Sequence, residues 1–484
     1  MRASPLTLLT LGMLAAVPGA ANAAELAPCR ISGVETEALC GRVTRALDPA
    51  AAAGVSIEVH FAVLPALARN KHPDPVFFFA GGPGQSAIDV AGTVARLLAR
   101  LSNRRDIVLV DQRGTGRSAP LHCTPQAMTA PLRDSVDLAH HERLLAACRD
   151  MLQKLPHGDL RHYTTHLATR DADAVREALG AEHINLVGAS YGTRAALDYQ
   201  RQFPTRVRRT VLDGVAPPDM ALPAAFSSDN QAALEAVFRA CEADAACAQR
   251  YPGLRLAWRT MLQSLPREVP LRHPVTGVTE WVPLMRDTVL GMVRQPLYVP
   301  ALTAALPLAV AEAAQGRFDA LMALGMSLGS GRRGPAQGMH FAVICAEDLP
   351  RLAKAGDAPG ADFGPAYAEF YRRVCATWPQ GSVPAAFYTL GQASAATLVL
   401  SGGDDPATPP RHGQRVTQAL GAKARHVVVP HASHGVMGIG CMRDVLFRFI
   451  DAESDEQALA VDAACVTSIP RPPPFLWPQA KVAP

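Results

Sequence analysis

The feature that most constrains this sequence is INLVGASYGT, at residues 184–193. Ile184, Leu186 and Val187 make a short, partly β-branched apolar run, the mark of a buried strand. The run ends in Gly188-Ala189-Ser190-Tyr191-Gly192, which fits G-x-S-x-G, and good helix formers follow at 194–200. Strand, sharp turn and helix in register describe a nucleophile elbow. Its glycines let backbone pass where a Cβ would clash, so the serine hydroxyl is held out of the turn. The helix start behind it offers N–H groups and a positive dipole end to developing negative charge.

Other strand ends carry similar loops. VFFF at 76–79 runs into AGGPGQS at 80–86, and IVLV at 107–110 runs into DQRGTGRS at 111–118. Further strands are expected at 210–212 (followed by Asp213-Gly214-Val215), 397–400 and 426–429, and the alternating 55–63 reads as an exposed or edge strand. Helical patterns intervene, such as 169–179 closed by Gly180. Alternating strand and helix predicts an α/β fold, a mostly parallel sheet with helices on both faces and functional groups at the strands' carboxyl ends. Between 216 and 385 strand signals thin out and helices dominate, which predicts a mainly helical cap inserted over the site. The core is then split into 24–215 and 386–484, the second part ending in a Pro-rich tail.

With 484 residues and 49% hydrophobic content the chain can bury a large core, and a net charge of +4 gives no reason to expect nucleic acid as a partner. Residues 1–23 combine Met1-Arg2, an apolar core at 6–17 and Ala21-Asn22-Ala23. This reads as a cleavable signal peptide, with secretion or a periplasmic location and no membrane anchor afterwards. The apolar run 297–310 is broken by Pro300 and Pro307 and reads as a buried helix pair. All ten cysteines follow the leader, which in an oxidising compartment suggests disulfides. Sequential pairing would close small loops: 29–40, 123–148, 241–247, 345–375 and 441–465. No C-x-x-C or zinc-like spacing is present, and neither metal nor cofactor is expected.

Ser190 needs a base, an acid to orient that base, and an oxyanion hole. In elbow-bearing sheets the chain order is Ser, acid, His. The 397–400 strand leads into Ser401-Gly402-Gly403-Asp404-Asp405-Pro406, and the 426–429 strand into Pro430-His431-Ala432-Ser433-His434-Gly435. Asp405 is chosen over Asp404 because the next proline stiffens its turn, and His434 over His431 because Gly435 allows close approach. The oxyanion donors are expected to be the N–H groups of Tyr191 and Gly82, with Gly84 as the alternative to Gly82. His162 and His166 have metal-like spacing without an acid between them, and Gly114-Thr115-Gly116 lacks the third glycine of a dinucleotide loop.

AGGPG at 80–84, DQRGTGRS at 111–118, GASYGT at 188–193, LDGV at 212–215 and DPATPP at 405–410 together resemble the prolyl iminopeptidase and tripeptidyl aminopeptidase family of secreted α/β-hydrolase exopeptidases. CAED at 345–348 and CATWP at 375–379 resemble its tripeptidyl-aminopeptidase-like branch. Ala80 departs from the His that iminopeptidases usually carry there, which turns the resemblance away from strict proline preference. The resemblance implies a serine aminopeptidase acting on peptides with free N-termini through Ser190, Asp405 and His434. It further implies that cap acids receive the substrate amine, with Glu347 and Asp348 as candidates. Asp111 and Arg113 are expected to pair and brace their loop. An esterase or amidase on the same scaffold is the alternative.

Overall fold

The computed structural model describes residues 25–51, 53–328, 334–354 and 356–476, so the leader expected at 1–23 lies outside the described residues. The strands are β1 (Ala27–Cys29), β2 (Ala38–Ala46), β3 (Ser56–Leu64), β4 (Val76–Phe79), β5 (Ile107–Val110), β6 (Ile184–Ala189), β7 (Val207–Asp213), β8 (Arg267–Arg272), β9 (Thr279–Leu284), β10 (Ala396–Gly402) and β11 (Ala424–Val429). Nine of them form one sheet in the order β1-β2-β3-β5-β4-β6-β7-β10-β11. From β5 to β11 every neighbour is parallel. β1, β2 and β3 make an antiparallel flank joined to β5.

The central strands are apolar throughout because both faces are covered. Successive side chains feed two different cores. Phe77, Phe79, Val108, Val110 and Leu186 pack on one face with Val175, Ala195 and Tyr199. Val76, Phe78, Ile107, Leu109 and Val187 pack on the other with Val94, Val445 and Phe449. The helix expected at 169–179 spans Thr165–Ala178 and starts a turn earlier, because the Thr164 hydroxyl caps it by accepting from the Leu167 N–H. Gly180 (φ 67°) lets the chain turn away after it.

The strands depart from expectation at two places. β3 is not an edge: β2 pairs along its whole length, and its side chains become buried toward Leu64. The 216–385 segment also contains a β8–β9 hairpin. Pro270 and Pro283 masked these strands, but a two-stranded ribbon leaves one side of each strand open, where a missing N–H breaks no ladder.

Between β7 and β10 the chain otherwise runs through helices that include Leu222–Ala243, Leu254–Gln263, Arg286–Arg294, Gln337–Val343 and Ala366–Cys375. Much of this region has its own core, built on Phe238, Trp258, Val289 and Phe318. The 297–310 run forms the short helices Pro300–Thr303 and Leu306–Ala314. No helix among the described residues is long and apolar enough to cross a membrane. The cysteines pair sequentially, as Cys29–Cys40, Cys123–Cys148, Cys241–Cys247, Cys345–Cys375 and Cys441–Cys465.

Candidate active site

Ser190 sits between β6 and the helix Tyr191–Gln202 with φ 55° and ψ −126°, a conformation that a non-glycine residue holds only under strain. The turn is this sharp because Gly188 and Gly192 allow it. A Cβ on Gly188 would lie 2.6 Å from the Gly192 carbonyl oxygen, and one on Gly192 would run into the Phe79 carbonyl at the end of β4. The Ser190 N–H donates to the Asp213 carbonyl at the end of β7 (2.8 Å). Gly214, the next residue, lies against the His434 ring: a Cβ there would be 3.1 Å from Cε1. Ser190 and His434 therefore flank the same strand end.

His434 Nδ1 lies 2.8 Å from Asp405 Oδ2. Asp405 is buried, and its carboxylate also accepts from the Ala407 N–H (2.8 Å), the Thr408 N–H (2.9 Å) and the Thr408 hydroxyl (2.8 Å). Burial alone would raise its pKa, but the His434 charge and these donors outweigh burial and hold it below the ordinary value. Burial would likewise lower His434, yet Asp405 and then Asp213 prevail and its pKa is raised. The rejected neighbours face elsewhere. Asp404 lies 2.6 Å from Arg471 of the tail, and the His431 ring is 3.5 Å from the same guanidinium.

In the loop after β4, Gly82 (φ 113°) and Pro83 border a cavity of about 660 Å³, and a Cβ on Gly81 would lie 3.2 Å from the Ser190 Cβ. Gly84 is covered instead, with its carbonyl accepting from the Ala336 N–H (2.8 Å). The Tyr191 N–H opens its helix and has no intrahelical acceptor. Aromatic side chains form part of the cavity wall, among them Phe226, Tyr298, Phe341 and Phe370. Tyr298, which lines the cavity, meets the His434 ring edge-on at 5.2 Å.

Glu347 and Asp348 lie elsewhere, and the amine-receiving role expected of them needs correction. Neither has exposed surface. Glu347 accepts from the Thr165 N–H (2.6 Å), the Thr165 hydroxyl (2.9 Å) and Arg194 (3.3 Å). Asp348 takes both ends of the Arg194 guanidinium (2.9 and 3.0 Å) and the Leu222 N–H (2.9 Å). Burial pushes Glu347 up to about 7 against the pull of Arg194. These acids tie the 345–348 segment to the helix behind Ser190, and neither is among the residues that line the cavity. The expected Asp111–Arg113 pair is also replaced. Asp111 accepts from the Ser86 hydroxyl (2.6 Å) and the Ile88 N–H (3.1 Å), while Arg113 forks onto Asp171 (2.7 and 2.9 Å).

Two contributors escaped the sequence reading. Thr408 braces both Asp405 and His434, its hydroxyl 3.2 Å from Nδ1. The spacing Asp-Pro-Ala-Thr could have revealed it, since an Asp accepts readily from N–H groups two and three residues on. Asp213 accepts from the Val436 (2.8 Å) and Met437 (2.9 Å) N–H groups, anchoring the backbone just after His434. Burial raises it to about 6. Its place at a strand end beside the elbow was the available signal.

A family model described as alpha/beta hydrolase fold matches residues 74–264, and one described as TAP-like protein matches 361–459. The chain belongs to the TAP-like α/β hydrolases. The hydrolase is 27% identical over 444 residues to the serine protease Hip1 of Mycobacterium tuberculosis, a match covering 84% of each chain. It is 33% identical over 192 residues to a tripeptidyl aminopeptidase of Streptomyces lividans, covering 37% of this chain and 35% of that one. A proline iminopeptidase of Aeromonas sobria is 30% identical over 144 residues, or 29% of this chain and 28% of that one.

Proposed function

We propose that this hydrolase is a serine aminopeptidase of the tripeptidyl or prolyl type, cleaving peptide bonds near free N-termini through an acyl-enzyme. The observation that carries the reading is His434, oriented by buried Asp405 at the strand end where the strained Ser190 sits, with its ring against cavity-lining Tyr298. The similarity to Hip1 and to the tripeptidyl aminopeptidase supports a peptide as substrate. Ser190 Oγ attacks the scissile carbonyl while His434 Nε2 takes its proton, and Asp405 stabilises the imidazolium through Nδ1–H. The Tyr191 and Gly82 N–H groups receive the oxyanion. His434 then returns the proton to the leaving amine, and water, deprotonated in turn by His434, releases the acyl part from Ser190. With Glu347 and Asp348 held by Arg194, the carboxylate bordering the cavity is Asp287, in the first turn of the helix Arg286–Arg294. It is the residue proposed to receive the substrate ammonium.

The disulfides suit an extracellular or periplasmic setting, and export by cleavage near residue 23 is part of the proposal. A panel of fluorogenic amides carrying one, two or three residues, each free and N-acetylated, tests the reading. Free forms should be cleaved far faster. Equal cleavage of acetylated forms would remove the amine requirement and favour the esterase or amidase reading, which the internal pairing of Glu347 and Asp348 already makes the second choice.

A further inference from the structure

The cavity wall carries a line of polar side chains whose hydrogen-bond directions are forced from both ends. His340 Nδ1 is 3.3 Å from the Pro83 carbonyl oxygen, which can only accept, so Nδ1 carries the hydrogen. The bare Nε2 of that neutral ring then accepts from the Tyr371 hydroxyl at 2.8 Å. The Tyr371 oxygen lies 3.1 Å from the Tyr367 hydroxyl, and the Tyr367 oxygen is 3.1 Å from Arg294 Nη1, which can only donate. One ordering satisfies every contact: Arg294 to Tyr367 to Tyr371 to His340 to Pro83. Burial pushes His340 down to about 4 despite the Pro83 carbonyl, which keeps the ring in the neutral form this ordering needs. The Arg294 guanidinium also lies over the Tyr367 ring, 4.9 Å from its centre.

The donors come from three cap helices, Arg286–Arg294, Gln337–Val343 and Ala366–Cys375, whereas the acceptor belongs to the loop beside Ser190. The Ala336 N–H, donating to the Gly84 carbonyl, is a second tie between the same cap segment and the same loop. We propose that this relay sets the oxyanion loop, with His340 as a positioning residue that holds the Gly82-Pro83 segment so that its N–H faces the oxyanion formed at Ser190. The inference rests on the acyl-transfer reading above and adds that the cap, besides enclosing substrate, orients part of the catalytic apparatus.

The test compares His340→Phe, His340→Gln and Tyr371→Phe in the full chain. Turnover is measured on a p-nitrophenyl ester and a free tripeptide amide, together with the affinity of a peptide aldehyde and thermal melts. Removing an oxyanion donor outright costs about 10²–10³ in kcat, so tilting its loop should cost roughly 10–100-fold. His340→Phe should lose that factor in kcat on both substrates with KM little changed, and aldehyde affinity should fall in parallel. His340→Gln, which can both donate and accept, should recover most of it. If His340→Phe melts early, Tyr371→Phe decides, with a smaller kcat loss expected at unchanged melting temperature. A folded variant with wild-type kcat, or one in which only KM rises, overturns the relay. Wild-type protein that turns over the ester but not the amide defeats the peptidase reading and leaves the relay test standing. Wild-type protein inert to both defeats the acyl-transfer reading, and the relay falls with it.

Discussion

Two buried acidic clusters flank Ser190, and they do opposite things. Asp405 just after β10 holds one histidine, whose ring meets Tyr298 of the cavity wall edge-on. Glu347 and Asp348 hold one arginine, which joins the elbow helix to the 345–348 segment and to the Met220 carbonyl. Both clusters lack exposed surface at the carboxylates. A buried acid is therefore read by where its partner's free face points: His434 leaves a nitrogen for chemistry, while Arg194 joins two layers.

The sharpest way to break this comparison is at its centre. Ser190→Ala should fold normally and lose about 10⁶ in kcat, the scale seen for removal of a triad nucleophile. Asp405→Asn should cost about 10⁴ by favouring the wrong histidine tautomer. Asp404→Asn, which only releases Arg471, should leave turnover nearly unchanged. If the two Asp variants exchanged effects in a steady-state assay, the acid would be misassigned.

Arg194→Met inverts the outcome. It should lower stability by about 3–5 kcal/mol, because two acids lose their buried counter-charge, and this is measurable by denaturant unfolding. Activity per folded molecule should fall far less than in Asp405→Asn. Two smaller effects concern pH. In the proposed mechanism neutral His434 is the base, and its pKa is raised, so activity should fall on acidification from a midpoint above the ordinary value of about 6.5, and Asp405→Asn should move that midpoint down. Glu347 rises from 4.5 to about 7 on folding, so the native state binds its proton more tightly than the unfolded chain. Its contribution is fully present below 4.5 and is lost as pH climbs through about 7. Glu347→Gln should flatten that slope in unfolding measured from pH 4 to 8, with turnover close to wild type.

The same contrast explains what the sequence revealed. The parallel strands were legible because each is a short apolar run ending in a loop of Gly, Asp or Ser, and local pattern alone carries that signal. Ser190, Asp405 and His434 could be picked out because each follows such a strand. Arg194 looked like one more helix former because its partners lie 153 and 154 residues away. Arg113 hid Asp171 in the same way, across 58 residues. The 55–63 strand reads as exposed or edge because nothing in its own pattern signals that β2 would cover it. The hairpin was lost because proline in a strand argues against pairing unless the ribbon is known to be isolated.

The positive φ at Ser190 has a consequence for how such a chain can drift. Holding a serine there costs on the order of 1–3 kcal/mol, whereas glycine would occupy the same angles almost freely. The position therefore carries a standing instability that selection tolerates only while the hydroxyl is needed. In a descendant released from hydrolysis, the first substitution to settle at 190 should be glycine rather than alanine, trading a dead enzyme for a sturdier fold.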